Sequence, residues 1–189
     1  SLQEILTGLG DRRYTIDRSF EDKVIIPGLI DQHVHPLLAA LTMSIEIIAI
    51  EDWVLPHGTS KKAIDREDYL QRVADAVAGM EDADEPLFTW GFHDYFHGKL
   101  TRLDLDKISD SRPIIVWHRS VHEFILNTAA MEAFEITPDF YETFSESAKE
   151  QSNFDEGHFW EQGWYPVLYK LMPALTEPKR LKAGLEFVR

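Results

Sequence analysis

The side chains best suited to chemistry are two histidines one residue apart, His33 and His35. They lie in the run Val24-Ile25-Ile26-Pro27-Gly28-Leu29-Ile30-Asp31-Gln32-His33-Val34-His35-Pro36. In a β-strand, residues i and i+2 point to the same face, so both imidazoles can meet one cation. Imidazole nitrogen suits zinc, iron, manganese or nickel. The chain has no cysteine, which excludes thiolate ligands, thiolate nucleophiles and disulfides. Any metal must therefore be held by His, Asp, Glu or a modified Lys. Histidine pairs on one strand face also occur without a metal, and the spacing alone leaves both readings open.

The elements around this pair must put it at a strand end. The β-branched run before Pro27-Gly28 predicts one strand, and Leu29 to His35 a second, buried one. Pro36 then closes it, at the end where parallel-barrel enzymes carry their chemistry. Residues 3–26 read as short strands and turns. Residues 37–50 predict a short helix or a buried loop and strand, and 53–64 a loop. Asp65 caps a predicted amphipathic helix over 66–80, with Asp68 in the capping-box position and Leu70, Val73, Val77 and Met80 at helical spacing. Leu87 to Phe92, Pro113 to His118 and His122 to Leu126 predict strands. Asn127 precedes a helix over 128–134, as its cap or as a substrate contact. Residues 138–156 are acidic and polar and predict a long excursion or a mobile loop. Thr176 is expected to cap a last helix that carries Pro178 in its first turn and runs to Arg189.

The segment 24–35 closely resembles the metal-binding signature of the amidohydrolase superfamily, in the form P-G-[FL]-[IV]-D-x-H-x-H. Further stretches resemble its YtcJ-like branch (amidohydrolase family 3), in that branch's order. These are Trp90-Gly91-Phe92-His93-Asp94, Leu103-Asp104, Pro113-Ile114-Ile115-Val116, His122 with Asn127-Thr128-Ala129-Ala130-Met131, and Gly157-His158-Phe159-Trp160-Glu161. The likeness runs from about residue 3 to 189. It implies an α/β fold: the first strand and helix of a metal-dependent (β/α)8 barrel, part of a small β-sandwich, and an inserted α+β segment. Residues 1–26 would be the sandwich remnant and 27–50 the first barrel strand and its exit. Residues 51–156 would be the insertion over the active site, and 157–189 the return segment and first barrel helix.

The resemblance further implies that His33 and His35 bind one or two divalent ions, with zinc expected, and that Asp31 orients them by hydrogen bonds. Trp90, Asp94, His122 and Glu161 would meet a small amide-type substrate. His122 is equally a strand-edge histidine, and Glu161 a surface carboxylate. His93 and His97, at i and i+4, form a weaker helical pair, and His118 reads as structural. The remaining ligands and the general base are expected beyond residue 189, which would make this chain an N-terminal fragment. The implied reaction is hydrolysis of C–N bonds by metal-activated water. A non-catalytic regulatory or binding protein that retains the fold is the alternative, and a small lone metal-binding domain a third.

Composition narrows the partners. The 33 acidic and 19 basic residues leave a net charge of −14, which argues against nucleic acid and against anionic lipid surfaces. No apolar run is long enough for a transmembrane helix, and the first residues lack the pattern of a signal peptide. A cytoplasmic protein, and a possible homodimer through exposed apolar barrel surface, are the corresponding expectations. No phosphate-binding glycine loop, nucleophile elbow or dinucleotide fingerprint is present.

Overall fold

The computed structural model describes residues 2–24, 35–55 and 58–188, in two compact units, 1–34 and 35–189. In the first unit, α1 (Leu2–Leu9) is followed by turns. The expectation of short strands in 3–26 is corrected for residues 2–24, where none forms. Leu2, Ile5, Leu6 and Leu9 recur at i, i+3, i+4 and i+7, a helical period, and the chain turns at Gly10. The predicted strands over 25–34 lie outside the described residues.

The second unit begins with α2 (Pro36–Thr42), β1 (Glu46–Ile47) and the hairpin β2 (Trp53–Leu55) and β3 (Gly58–Ser60). It continues with α3 (Arg66–Gly79), β4 (Leu87–Phe92), α4 (Asp94–His97), α5 (Arg102–Asp106), β5 (Ile114–His118) and β6 (Glu123–Leu126). Then come α6 (Thr128–Ala133), α7 (Pro138–Glu142), α8 (Glu146–Glu150), β7 (Ser152–Asn153), β8 (His158–Trp160), α9 (Trp164–Leu175) and α10 (Pro178–Val188). One six-stranded sheet runs β1-β4-β5-β6-β8-β7. Its β1, β4 and β5 are parallel and the remaining pairings antiparallel. The sheet takes strands from both sides of the expected boundaries at 50/51 and 156/157.

The sheet is apolar on both faces, as its near-continuous apolar strands require. Ile115 and Trp117 face one core with Phe88, Phe124, Phe159 and the α9 residues Val167, Leu171 and Leu175. Ile114 and Val116 face the other with Ile125, Phe92 and the α3 residues Tyr69 and Val73. Period-2 alternation along β5 thus serves two helical layers. Each fully buried Leu, Ile or Phe stabilises by about 1.5–3 kcal/mol.

Local chemistry explains most element ends. Asp65 accepts from Asp68 N–H at 3.0 Å and starts α3. Asn127 accepts from Ala130 N–H at 2.9 Å and from Ile114 N–H at 2.8 Å, and donates to Ser109 and Arg112 carbonyls at 2.9 Å each. It is a buried clasp between β5 and α6, not a substrate contact. Three expectations are corrected. The hairpin occupies the expected loop over 53–64. Residues 138–156 form α7, α8 and β7, because Thr137 and Ser145 cap the two helices and Phe140, Tyr141, Phe144 and Ala148 pack on the core. Glu177, not Thr176, caps α10 by accepting from Arg180 N–H at 3.0 Å, while Thr176 closes the unforeseen α9 by donating to Met172 O. Helix α10 crosses α2 so closely that a Cβ at Gly184 would run into the Ala40 carbonyl.

Candidate functional site

One edge of the sheet gathers the polar chemistry. It is formed by the C-terminal ends of β4, β5 and β8 and the N-terminal end of β6, since Trp117 pairs with Phe124 and Glu123 with Trp160. Three loops leave it: His93–Asp94 after β4, Arg119–His122 after β5, and Glu161–Gly163 after β8. A bulge at Gly91 (φ 114°) shifts the β4–β5 register between Trp90 and Phe92. A Cβ there would lie 2.7 Å from Ala49 Cβ and 2.8 Å from Ile48 O, so only glycine fits. The bulge leaves Trp90 on the α9 side and turns Phe92, and with it the start of the next loop, toward the α3 side.

On the α3 side, His93, Asp94 and His118 converge, with potential ligand atoms all within 4.8 Å of one another. Asp94 Oδ1 is 3.2 Å from His93 Nδ1 and 3.9 Å from His118 Nε2. His118 ends β5 with its side chain 10% exposed. Its Nε2 is buried with no hydrogen-bond partner. Its Nδ1 accepts from Ser120 N–H at 3.0 Å, and lies 2.8 Å from Ser120 Oγ and 3.2 Å from Glu123 Oε1. The other Glu123 oxygen accepts from His158 Nε2 at 2.8 Å. Burial pushes the His118 pKa down, against the pull of the Glu123 carboxylate. His93 Nδ1 also accepts from Tyr95 N–H at 3.3 Å and so caps α4.

His97 belongs to the core behind this cluster. Its Nδ1 accepts from His93 N–H at 3.1 Å, which places the ring proton on Nε2, 3.2 Å from Ala63 O. The ring stacks on Tyr69 with centroids 4.6 Å apart. Burial lowers its pKa and raises that of Tyr69. Both His97 nitrogens are engaged, so the i, i+4 pair His93/His97 is not a two-ligand face.

On the α9 side, the exposed pair His122 and Glu161 meets, Nδ1 to Oε2 at 3.4 Å. Glu161 N–H donates to His122 O at 2.9 Å, which ties the two loops together. His122 stacks on Trp164, and Trp164 on Phe124. Val121 and Glu161 both adopt the left-handed region, with φ 62° and 45°. For the β-branched Val121 this is real strain, of a kind held at functional sites. Trp90 is buried, crosses Trp53 edge to face, and keeps a buried indole N–H without a partner.

The structure thus brings Asp94, His122 and Glu161 to one sheet edge, with Trp90 one residue before the bulge. His35 is exposed immediately before α2, its carbonyl accepting from Ala39 N–H at 2.9 Å. His33 and Asp31 lie outside the described residues. Sequence reasoning missed His118, Glu123 and His158 as a connected group. Strand alternation could have put His118 on the face of Ile114 and Val116, but pairing Glu123 with it needed the β5–β6 register.

No known family profile matches the chain. Over 119 residues, 62% of the chain, it is 27% identical to Protein LONG AFTER FAR-RED 3 of Arabidopsis thaliana, and the match spans 18% of that protein. Two solved structures of uncharacterized metal-dependent hydrolases, from Pyrococcus horikoshii OT3 and Pyrococcus furiosus, are similar in fold, each with a TM-score of 0.55. They are 15% and 17% identical to this chain, and the similarity covers 84% and 86% of it. The chain spans only 27% and 28% of their lengths.

Proposed function

We propose that this chain is part of a metal-dependent hydrolase acting on amide-type C–N bonds, with His33 and His35 as metal ligands and Asp31 as their hydrogen-bonding support. The carrying observation is the fold likeness to the two archaeal metal-dependent hydrolases over more than four-fifths of the chain. The donor set fits such a reading. Two imidazoles and no thiolate suit zinc and its first-row neighbours, and His35 is exposed at the head of α2. When bound, the ion lowers the pKa of a water and polarises a carbonyl.

The chain's own residues then bind and orient. His122 can donate to or accept from an amide, with Glu161 Oε2 3.4 Å from its Nδ1. Asp94 offers an exposed acceptor for a substrate N–H. Trp90 supplies an apolar wall and an uncommitted N–H.

The test uses the protein that carries this chain, loaded with zinc and assayed on a panel of N-acyl amides. Chelation is expected to abolish hydrolysis and zinc to restore it, and His33→Ala is expected to lose both ion and activity. Hydrolysis that survives chelation and His33→Ala overturns the metal assignment. A zinc-loaded protein that cleaves no amide in the panel overturns the substrate class and favours a non-catalytic role.

A further inference from the structure

A buried polar atom without a partner costs about 1–3 kcal/mol and calls for an explanation. His118 Nε2 is such an atom, on a side chain nine-tenths buried, and it points to the gap between His93 and the Asp94 carboxylate. We propose that His93, Asp94 and His118 form a divalent-cation site complete within the body 35–189, with Glu123 as the residue that positions His118.

The geometry behind the ligands carries this further than the cluster itself. A histidine that ligates through Nε2 must carry its proton on Nδ1, and in metal proteins a carboxylate or carbonyl accepts that proton and fixes the ring. Here His118 Nδ1 accepts from Ser120 N–H at 3.0 Å, so taking up an ion would move the ring proton from Nε2 to Nδ1 and exchange the Ser120 contact for Glu123 Oε1, which stands 3.2 Å away. His158 anchors the other Glu123 oxygen at 2.8 Å. Glu123 and His158 sit on paired strands β6 and β8, so rigid sheet holds this support. His118 is further confined by the Phe92 ring edge, with centroids 6.0 Å apart. His93 and Asp94 come from the neighbouring strand end, aimed by the Gly91 bulge. The ion would therefore bridge the ends of two adjacent parallel strands.

The chemistry of the donor set selects the ion. Two imidazoles and one carboxylate suit Zn2+, Co2+, Ni2+ or Fe2+ and suit Mg2+ or Ca2+ poorly. The Asp94 side chain is 71% exposed, so the remaining coordination positions open to water. The site is of the open kind rather than the closed four-ligand structural kind. Two carboxylates, Asp94 and Glu123, match the charge of one divalent ion.

The test is independent of the hydrolase reading, because it measures binding and not turnover. In the full chain carrying His33→Ala and His35→Ala, Co2+ is titrated and followed by its visible absorption, and Zn2+ by calorimetry. One saturable Co2+ per chain is expected, displaced by Zn2+. Adding Asp94→Asn or His118→Ala is expected to weaken binding by more than about 100-fold, and Glu123→Gln by about 10–100-fold. Asp94 is exposed, so its variant keeps the test valid if His118→Ala does not fold. Absence of saturable binding in the background chain, or unchanged affinity in Asp94→Asn, overturns the proposal.

Discussion

The two sides of one sheet edge hold histidine–carboxylate groups of opposite character. On the α3 side, His118 is nearly buried, backed by Glu123 and His158, and leaves Nε2 unpartnered. On the α9 side, His122 and Glu161 form a single pair in which both side chains are more than half exposed. The same residue types thus do different physical work. The buried group is held by strands and gains strength from the low local dielectric. The exposed pair is screened by water, so it contributes little to stability and can reorganise around a ligand. Strain lies with the second group: Glu161 of the exposed pair, and Val121 next to His122, are in the left-handed region.

The contrast can be broken most severely at the bulge that separates the two sides. Gly91→Ala forces a Cβ against Ala49 and Ile48 at a φ of 114°, and should cost about 3 kcal/mol in chemical denaturation. It should also weaken Co2+ binding on the α3 side, because His93 and Asp94 are displaced. Glu123→Ala comes next. It strips His118 and His158 of their shared carboxylate, and a loss of about 2 kcal/mol is expected by the same measurement.

Acid should act on the buried side. Burial holds the His97 and His118 pKa values below their ordinary value, so the unfolded chain binds more protons than the folded one as pH falls below about 6.5. The neutral rings therefore contribute stability that is fully present above that pH and lost as pH drops through their lowered pKa values. Melting temperature is expected to fall between pH 7 and pH 5, and His97→Gln to flatten that fall. A melting temperature that rises on acidification would contradict the burial argument. The smallest effect belongs to the exposed side. Glu161→Ala should change stability by less than about 0.5 kcal/mol, while under the hydrolase reading it raises KM for an amide substrate.

Legibility in the sequence followed range of interaction. Strand β4 was readable to the residue, and α3 and its Asp65 cap were readable because period and cap lie within a few positions of each other. The helix α9 was missed because Pro166 and Pro173 mask its pattern, although Val167, Leu171 and Leu175 share a buried face. The helices α7 and α8 were missed because acidic composition was read as mobility. Their aromatic residues Phe140, Tyr141 and Phe144 were the contrary signal.

The sequence by itself determined His33, His35, Asp94, His122 and Glu161 as candidates by residue type and motif, the strand identities of β4, β5 and β6, and the absence of any thiolate. Those depend on residue type and on spacing within one element. Tertiary structure alone decided that His118 points into the gap between His93 and Asp94, that Glu123 stands behind it, and that His122 meets Glu161 39 positions away. These contacts are fixed by strand register and by the Gly91 bulge, where a one-residue slip sends every side chain to the other face.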